Sequence, residues 1–214
     1  MPASIPATPP ITCRTSITVL VLAAGQGRRF AASGGQTHKL QALLHGKPVL
    51  QHVLDTVAQA GLAAHVVHPV SGVTMGMGDS IAHGVHETAS SSAWLILPGD
   101  MPLVQAATLR AIAMYMQPDT TYDAVQPVWH GQMGHPVAFS ARCASELLAL
   151  QGDQGARVVL QQLRTQGKVH SLSVEDAGVV HDIDTLNDLE VAAHMLAQRG
   201  HQTDLNMENT YGCC

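Results

Sequence analysis

The 214 residues are 46% apolar but only 3% aromatic, so one core filled by Ala, Val, Leu and Met is expected and a disordered polymer is excluded. A net charge of −5 argues against a general nucleic-acid surface, and no apolar run approaches the roughly 18 residues of a membrane span. Cys13, Cys143, Cys213 and Cys214 form no C-x-x-C pair, which suits a reducing, cytoplasmic compartment, and the 13 histidines show no H-E-x-x-H spacing.

Residues 1–15 carry four prolines and no periodicity, and are expected to form a disordered arm ahead of a domain spanning 16–200. Residues 17–22, I-T-V-L-V-L, have the pattern of a strand buried on both faces of a parallel sheet. The run continues into Ala23-Ala24-Gly25-Gln26-Gly27, small residues that let the backbone turn sharply and approach a ligand. Successive N–H groups in such a turn form a concavity for anions, and Arg28, Arg29 and Lys39 add positive charge. A polyphosphate site is the reading. It is not a P-loop, because Pro48 follows Gly46-Lys47, and not a dinucleotide fingerprint, because Phe30 stands where the third glycine belongs. Residues 31–38 read as a loop without an apolar anchor, mobile until a nucleotide orders it.

Pro48 suits the first position of a helix with the stripe Val49, Leu50, Val53, Leu54 and Val57, ended by Gly61. A strand within 64–70 and a flexible loop at 72–78 follow, then a helix to about residue 89 capped by Asp79 or Ser80. The buried strand 94–97 ends in Pro98-Gly99-Asp100-Met101-Pro102, which puts a carboxylate at the strand end where α/β folds bind ligands. Helix 105–116 should turn Ala107, Leu109, Ile112, Ala113 and Met116 inward. Strand 124–129, bent or at an edge because of Pro127, turns at 131–134 into a return strand, 135–139. A helix at 141–150, a loop at 152–157 and a helix ending near 166 come next. Strands at 169–174 and 179–183 lead into Asp182-Ile183-Asp184-Thr185. Thr185 caps a last helix, with Asp188 as reciprocal partner; the helix ends near Gly200 and 201–214 form a flexible tail. The expected fold is α/β: a three-layer, Rossmann-like, mixed but mostly parallel sheet with helices on both faces.

Four stretches carry a resemblance as a set: L-A-A-G-x-G-x-R with its following lysine, G-M-G-D-S-I-A-H-G-V, P-G-D-M-P, and D-I-D-T-x-x-D-L. Together they resemble the sugar-nucleotide and cofactor nucleotidyltransferases, within them the MobA-like NTP transferases, and most of all the molybdenum cofactor cytidylyltransferases. The resemblance implies nucleotide binding by Leu22, Ala23, Ala24, Gly25, Gly27, Arg29, Lys39, Gly78, Ser80 and Asp100. It implies catalytic roles for Arg29, Lys39 and Asp100, with Lys47 the rival of Lys39, and acceptor binding by Gly134, His135 and Arg157. Asp100 with Asp184 or Asp182 would hold Mg²⁺; strand alternation puts the last two on one face, and Asp184 is favoured.

The implied donor is CTP or another NTP, with Ala24 leaning to CTP because guanylyl members tend to have a second glycine there. The implied acceptor is a phosphorylated small molecule of the molybdopterin type. A molybdoenzyme or maturation factor is the implied protein partner, with neither nucleic acid nor membrane. The chain departs from the family at 61–71, which leaves room for one strand only, and at Phe30-Ala31, which replace Met-Gly. Two rivals stand beside this reading: a sugar- or polyol-phosphate nucleotidyltransferase, and a nucleotide-binding regulatory module without turnover. In-line displacement at an α-phosphorus by an acceptor phosphate, already ionised, asks for positioning and charge neutralisation and no strong base.

Overall fold

The structure is a computed structural model in which residues 16–69, 76–117 and 119–210 are described, 200–210 by their backbone only. The expected arm at 1–15 lies outside them, as do residue 70 of the expected strand, 72–75 of the expected loop and 211–214 of the expected tail. In chain order the elements are β1 (Ile17–Leu22), α1 (Arg28–Ala32), a 3-10 turn at Lys39–Gln41, β2 (Leu43–Leu44), β3 (Lys47–Pro48), α2 (Val49–Gln59) and β4 (Ala63–Val67). Next come α3 (Met77–Glu87), β5 (Ala93–Pro98), α4 (Ala106–Met114), β6 (Ala124–Trp129), β7 (Gln132–Met133) and β8 (Val137–Ser140). The chain continues through α5 (Ala144–Leu148), α6 (Arg157–Thr165), β9 (Val169–Ser173), a 3-10 turn at Ala177–Val180, and α7 (Leu186–Thr210).

The main sheet has the order β4-β1-β5-β8-β6-β7, with β9 on the other side of β6. β1 pairs in parallel with β4 and β5; β8 lies antiparallel between β5 and β6; β9 runs parallel to β6. Of the long strands only β8 is reversed, so the sheet is mixed and mostly parallel, and the α/β reading holds. β1 is apolar along its whole length because both its faces are covered. Val19 and Val21 face α2 and α4, packing with Val53, Val57, Leu109 and Ile112. Leu20 faces the other layer, with Ile81 and Val85 of α3, Leu147 of α5 and Leu160 of α6. Each such side chain contributes roughly 1.5–3 kcal/mol when withdrawn from water. A third cluster, around Phe30, Leu40, Leu44 and Ile183, seats α7 beside the carboxyl ends of the strands.

Several local expectations are corrected. Residues 179–183 form no strand: Ala177–Val180 is a 3-10 turn, set by Asp176, whose side chain accepts the Gly178 N–H at 3.0 Å. α7 does not stop at Gly200 but continues to Thr210, so most of the expected tail is helical. Ala107 is exposed and Thr108 takes the buried place, because its hydroxyl donates to Asp176 at 2.7 Å. Pro127 is at no edge: β6 pairs with β9 on one side and with β8 and β7 on the other. Pro127 sits between the two latter pairings, where β6 parts from β8. The α3 cap is Gly76, not Asp79 or Ser80; Asp79, in the first turn, accepts the Gly76 N–H at 2.9 Å and the Gly152 N–H at 3.1 Å. Between α2 and α3 the described chain has one strand, β4, which lies at the sheet edge.

Candidate active site

The carboxyl ends of β1 and β5 open onto a cleft of about 820 Å³. Beyond the strands, Ala23 N–H donates to Val67 O at 3.0 Å and Gly99 N–H to Leu22 O at 2.9 Å. Strand pairing is thereby prolonged to the point where the chain leaves the sheet, and the 24–27 turn and Asp100 emerge side by side. Gly27 takes φ +62°, a left-handed conformation that a side chain would strain. The 31–38 loop does have an anchor. Phe30 is buried, Gly35 N–H donates to Phe30 O at 3.1 Å, and Ser33 Oγ accepts Leu186 N–H at 3.0 Å. Those bonds tie the loop to the start of α7. His38 Nε2 lies 2.7 Å from Gly25 O and returns the chain so that Lys39 enters the cleft.

Asp100 follows β5, while Asp182 and Asp184 follow the 3-10 turn that replaces the expected strand. One carboxylate oxygen from each of the three lies within 4.8 Å of the others. Sequence spacing could not separate Asp182 from Asp184, and both join the cluster. Lys39 Nζ bridges Asp100 Oδ2 at 2.6 Å and Asp184 Oδ1 at 2.7 Å. Arg29 Nη1 takes the other oxygen, Asp184 Oδ2, at 2.6 Å. Asp100 Oδ1 is buried without a hydrogen-bond partner. Carboxylates meeting at one point, one of their oxygens unsatisfied, form the donor set of a hard divalent cation.

Charge in this corner is strongly coupled. Burial would lower the Lys39 pKa, but the charge and hydrogen bond of Asp100, joined by Asp184, hold it above the usual value. The Lys39 hydrogen bond, against burial and with help from Arg29, keeps the Asp184 carboxyl below the usual range. Burial first and the Asp100 charge second push Asp182 up. Burial likewise lowers His135, which favours a neutral ring, and its Nδ1 is buried without a hydrogen-bond partner.

The cleft brings together Leu22, Ala24, Gly25, Gly27, Arg29 and Lys39 on the turn side. Ser80, Asp100, His135, Asp182 and Asp184 line it too. Four expected residues are not on its wall. Ala23 is buried beneath the turn, and Gly78 packs against Gln151, whose carbonyl oxygen a Cβ there would meet at 2.9 Å. Gly134 lies behind the hairpin, held by its N–H to Pro127 O at 2.8 Å. Arg157 is exposed at the first position of α6. Lys47, the rival of Lys39, points elsewhere, to Asp55 at 2.6 Å.

Sequence reasoning missed Met77 and Asp153 on one rim and Gln132, Met133, Val179 and Val180 on the other. Met77 and the Gln132-Met133 pair stand inside stretches already read as loops, and side-chain direction was the absent information. Arg164 was missed as well: its Nη2 lies 2.7 Å from Met133 Sδ and donates to Gln126 Oε1, which braces the hairpin from behind.

The MobA-like NTP transferase domain matches residues 19–71 and 63–168. The bifunctional protein GlmU of Brevibacillus brevis is 33% identical over 123 residues, 47% of this chain, and the match spans a quarter (25%) of that protein's length. Rv0371c of Mycobacterium tuberculosis H37Rv, solved in complex with manganese, superposes with a TM-score of 0.63 at 24% identity, covering 84% of this chain and 98% of that one. A nucleotidyl transferase of a Methanothermobacter species (Mth528) gives a TM-score of 0.70 at 21% identity, covering 86% of this chain and 99% of that one. Both superpositions speak for the fold. Among the described residues, no helix is long and apolar enough to cross a membrane.

Proposed function

Because the chain belongs to the MobA-like NTP transferase domain family, we propose that it moves a nucleoside monophosphate from CTP to a phosphorylated acceptor of the molybdopterin type and releases pyrophosphate. One observation carries the reading: a small-residue turn, the cations Arg29 and Lys39 and the carboxylates Asp100, Asp182 and Asp184 converge on a single cleft at the carboxyl ends of β1 and β5. The turn at 24–27 cradles the triphosphate with its N–H groups, and Arg29 and Lys39 neutralise it. Asp100 and Asp184, with Asp182 beside them, hold Mg²⁺, which supplies positive charge at the reacting phosphate. Ala24, Met77 and Ser80 border the base and ribose. The acceptor enters past Gln132, Met133, His135 and Val179, and its ionised phosphate attacks in line.

Thermal shift tests the donor. CTP with Mg²⁺ should stabilise the chain most, by about 2.7 kcal/mol at a hundred times its dissociation constant. A larger shift with GTP or ATP overturns CTP, and absence of pyrophosphate release with every donor and acceptor overturns transfer in favour of a binding module.

One observation favours the sugar- or polyol-phosphate rival: the wall formed by Gln132, Met133, His135, Val179, Val180 and Asp182 holds no lysine or arginine. Such a wall suits hydroxyl groups better than a second anionic centre. Arg157, outside the wall, touches an acceptor only where that acceptor extends beyond the cleft. Its exposure limits the gain to about 1 kcal/mol. Arg157→Ala should therefore raise the KM for a molybdopterin-type acceptor by no more than about fivefold and leave the CTP shift unchanged. Turnover on sugar phosphates and none on pterin phosphates, with Arg157→Ala silent, selects the rival.

A further inference from the structure

Lys39 and Arg29 are assigned to the triphosphate, yet in the nucleotide-free protein they bind the carboxylates assigned to the metal. Lys39 Nζ lies 2.6 and 2.7 Å from Asp100 and Asp184, and Arg29 occupies the second oxygen of Asp184. Both oxygens of Asp184 and one of Asp100 are therefore already in use. Of the four oxygens of these two residues, only Asp100 Oδ1 has no cation or hydrogen-bond donor on it. The Lys39 and Asp100 side chains are 11% and 15% exposed, so water screens this pair poorly. Clustered carboxylates sheltered in this way need a counter-charge to coexist. A divalent ion brought onto the same oxygens would stand within a few ångströms of the ammonium group, and the two positive charges repel, so each weakens the other's hold on the cluster.

We infer that Lys39, aided by Arg29, is the resident counter-cation of the Asp100–Asp184 pair, and that a divalent cation enters the cluster only as these side chains leave it for a triphosphate. The resting arrangement stands on the geometry alone; the identity of the anion that draws the cations away rests on the proposed function. Metal and nucleotide then bind as a pair, each strengthening the other by the same factor. The free protein also keeps no tightly bound divalent ion. Arg29 is the more exposed half of the device, its side chain 80% accessible against 11% for Lys39.

The test titrates the full chain with Mn²⁺ in the absence of nucleotide, read by electron paramagnetic resonance of the free ion. Wild type should bind weakly. Lys39→Met should bind roughly tenfold more tightly, within the usual range of coupling between sites. Adding Asp100→Asn to Lys39→Met should remove the gain, which ties it to the cluster. Arg29→Gln should give a smaller gain and, being a surface change, carries the test if Lys39→Met does not fold. Unchanged or weaker Mn²⁺ binding by the folded variant, or no binding by any of these proteins, overturns the inference. Tighter Mn²⁺ binding without any nucleotide binding would uphold the counter-cation role and sink the transferase reading, so the two fail separately.

Discussion

Asp100→Ala is expected to lower Mg²⁺-dependent pyrophosphate release by roughly a hundredfold to a thousandfold, the usual loss when one preorganised charge partner is removed from a reacting centre. The fold should survive, because the backbone at this position is held without the side chain. Ile183 N–H donates to Asp100 O at 2.9 Å, and Gly99 N–H donates to Leu22 O. The carboxylate itself sits at the end of a strand covered on both faces, so it moves little during the reaction. Its Oδ1 makes no hydrogen bond and Oδ2 meets only Lys39 among the described residues. The side chain is therefore used for charge, not for packing. Loss of that charge removes a metal ligand and leaves Lys39 attached to Asp184 alone. Thermal melts within about 2 °C of wild type, together with collapsed turnover, is the expected pair of results; a shift of that size is under about 1 kcal/mol for a domain this large. Turnover within about tenfold of wild type would show that Asp182 and Asp184 suffice without Asp100.

The parts legible in the sequence were those dictated by local pattern. Residues 17–22 read as a buried strand because an uninterrupted β-branched run has few other uses, and β1 is enclosed by α2 and α4 on one side and α3 on the other. Thr185 and Asp188 read as a reciprocal cap, and the bonds are present: Thr185 N–H to Asp188 Oδ2 at 2.7 Å and Asp188 N–H to Thr185 Oγ1 at 3.2 Å. Asp100 was placed by the rule that ligands meet the carboxyl ends of parallel strands.

What stayed hidden depends on partners far away in sequence. V-V-H-D-I fits a strand as well as any short apolar run, but Gly178 lies so close to Leu103 that a Cβ would meet its carbonyl oxygen at 2.1 Å. That packing bends 177–180 into a turn and aims Asp182 at the cleft. The insertion of β8 between β5 and β6 leaves no local trace either, because strand order is a property of the assembled sheet. Arg157 illustrates the limit of transfer by resemblance: the resemblance assigns it to the acceptor, yet its side chain lies outside the cleft wall.

The largest loss of stability is expected at a residue no motif marked. Asp176 is 2% exposed, and its carboxylate accepts from Thr108 Oγ1 at 2.7 Å, Gln105 N–H at 2.9 Å and Gly178 N–H at 3.0 Å. Gln105 Nε2 at 3.2 Å and Arg199 Nη2 at 3.3 Å complete the set. Two carboxylate oxygens offer about four lone-pair sites, so this acceptor is saturated. It joins the start of α4, the 3-10 turn at Ala177–Val180 and the middle of α7 at one point. Asp176→Ala takes that acceptor from each of those donors, and one of them is a guanidinium, which also donates to Leu103 O at 2.6 Å through Nη1. Breaking such a pair by removing one partner costs about 3–5 kcal/mol, a large share of the roughly 5–15 kcal/mol that holds a domain folded. At about 2–4 °C per kcal/mol for a chain of this length, the melting temperature should fall by roughly 6–20 °C. Asp176→Asn, which keeps the shape and one acceptor oxygen, should fall less. Function should follow, because the same turn sets Val179 and Val180 in the cleft wall and leads directly to Asp182. Even well below its melting temperature, Asp176→Ala should therefore bind Mn²⁺ and acceptor more weakly than wild type. Chemical denaturation decides the matter: a loss of less than about 1 kcal/mol would mean that water replaces the carboxylate without strain, and that the turn is held by Gly178 packing alone.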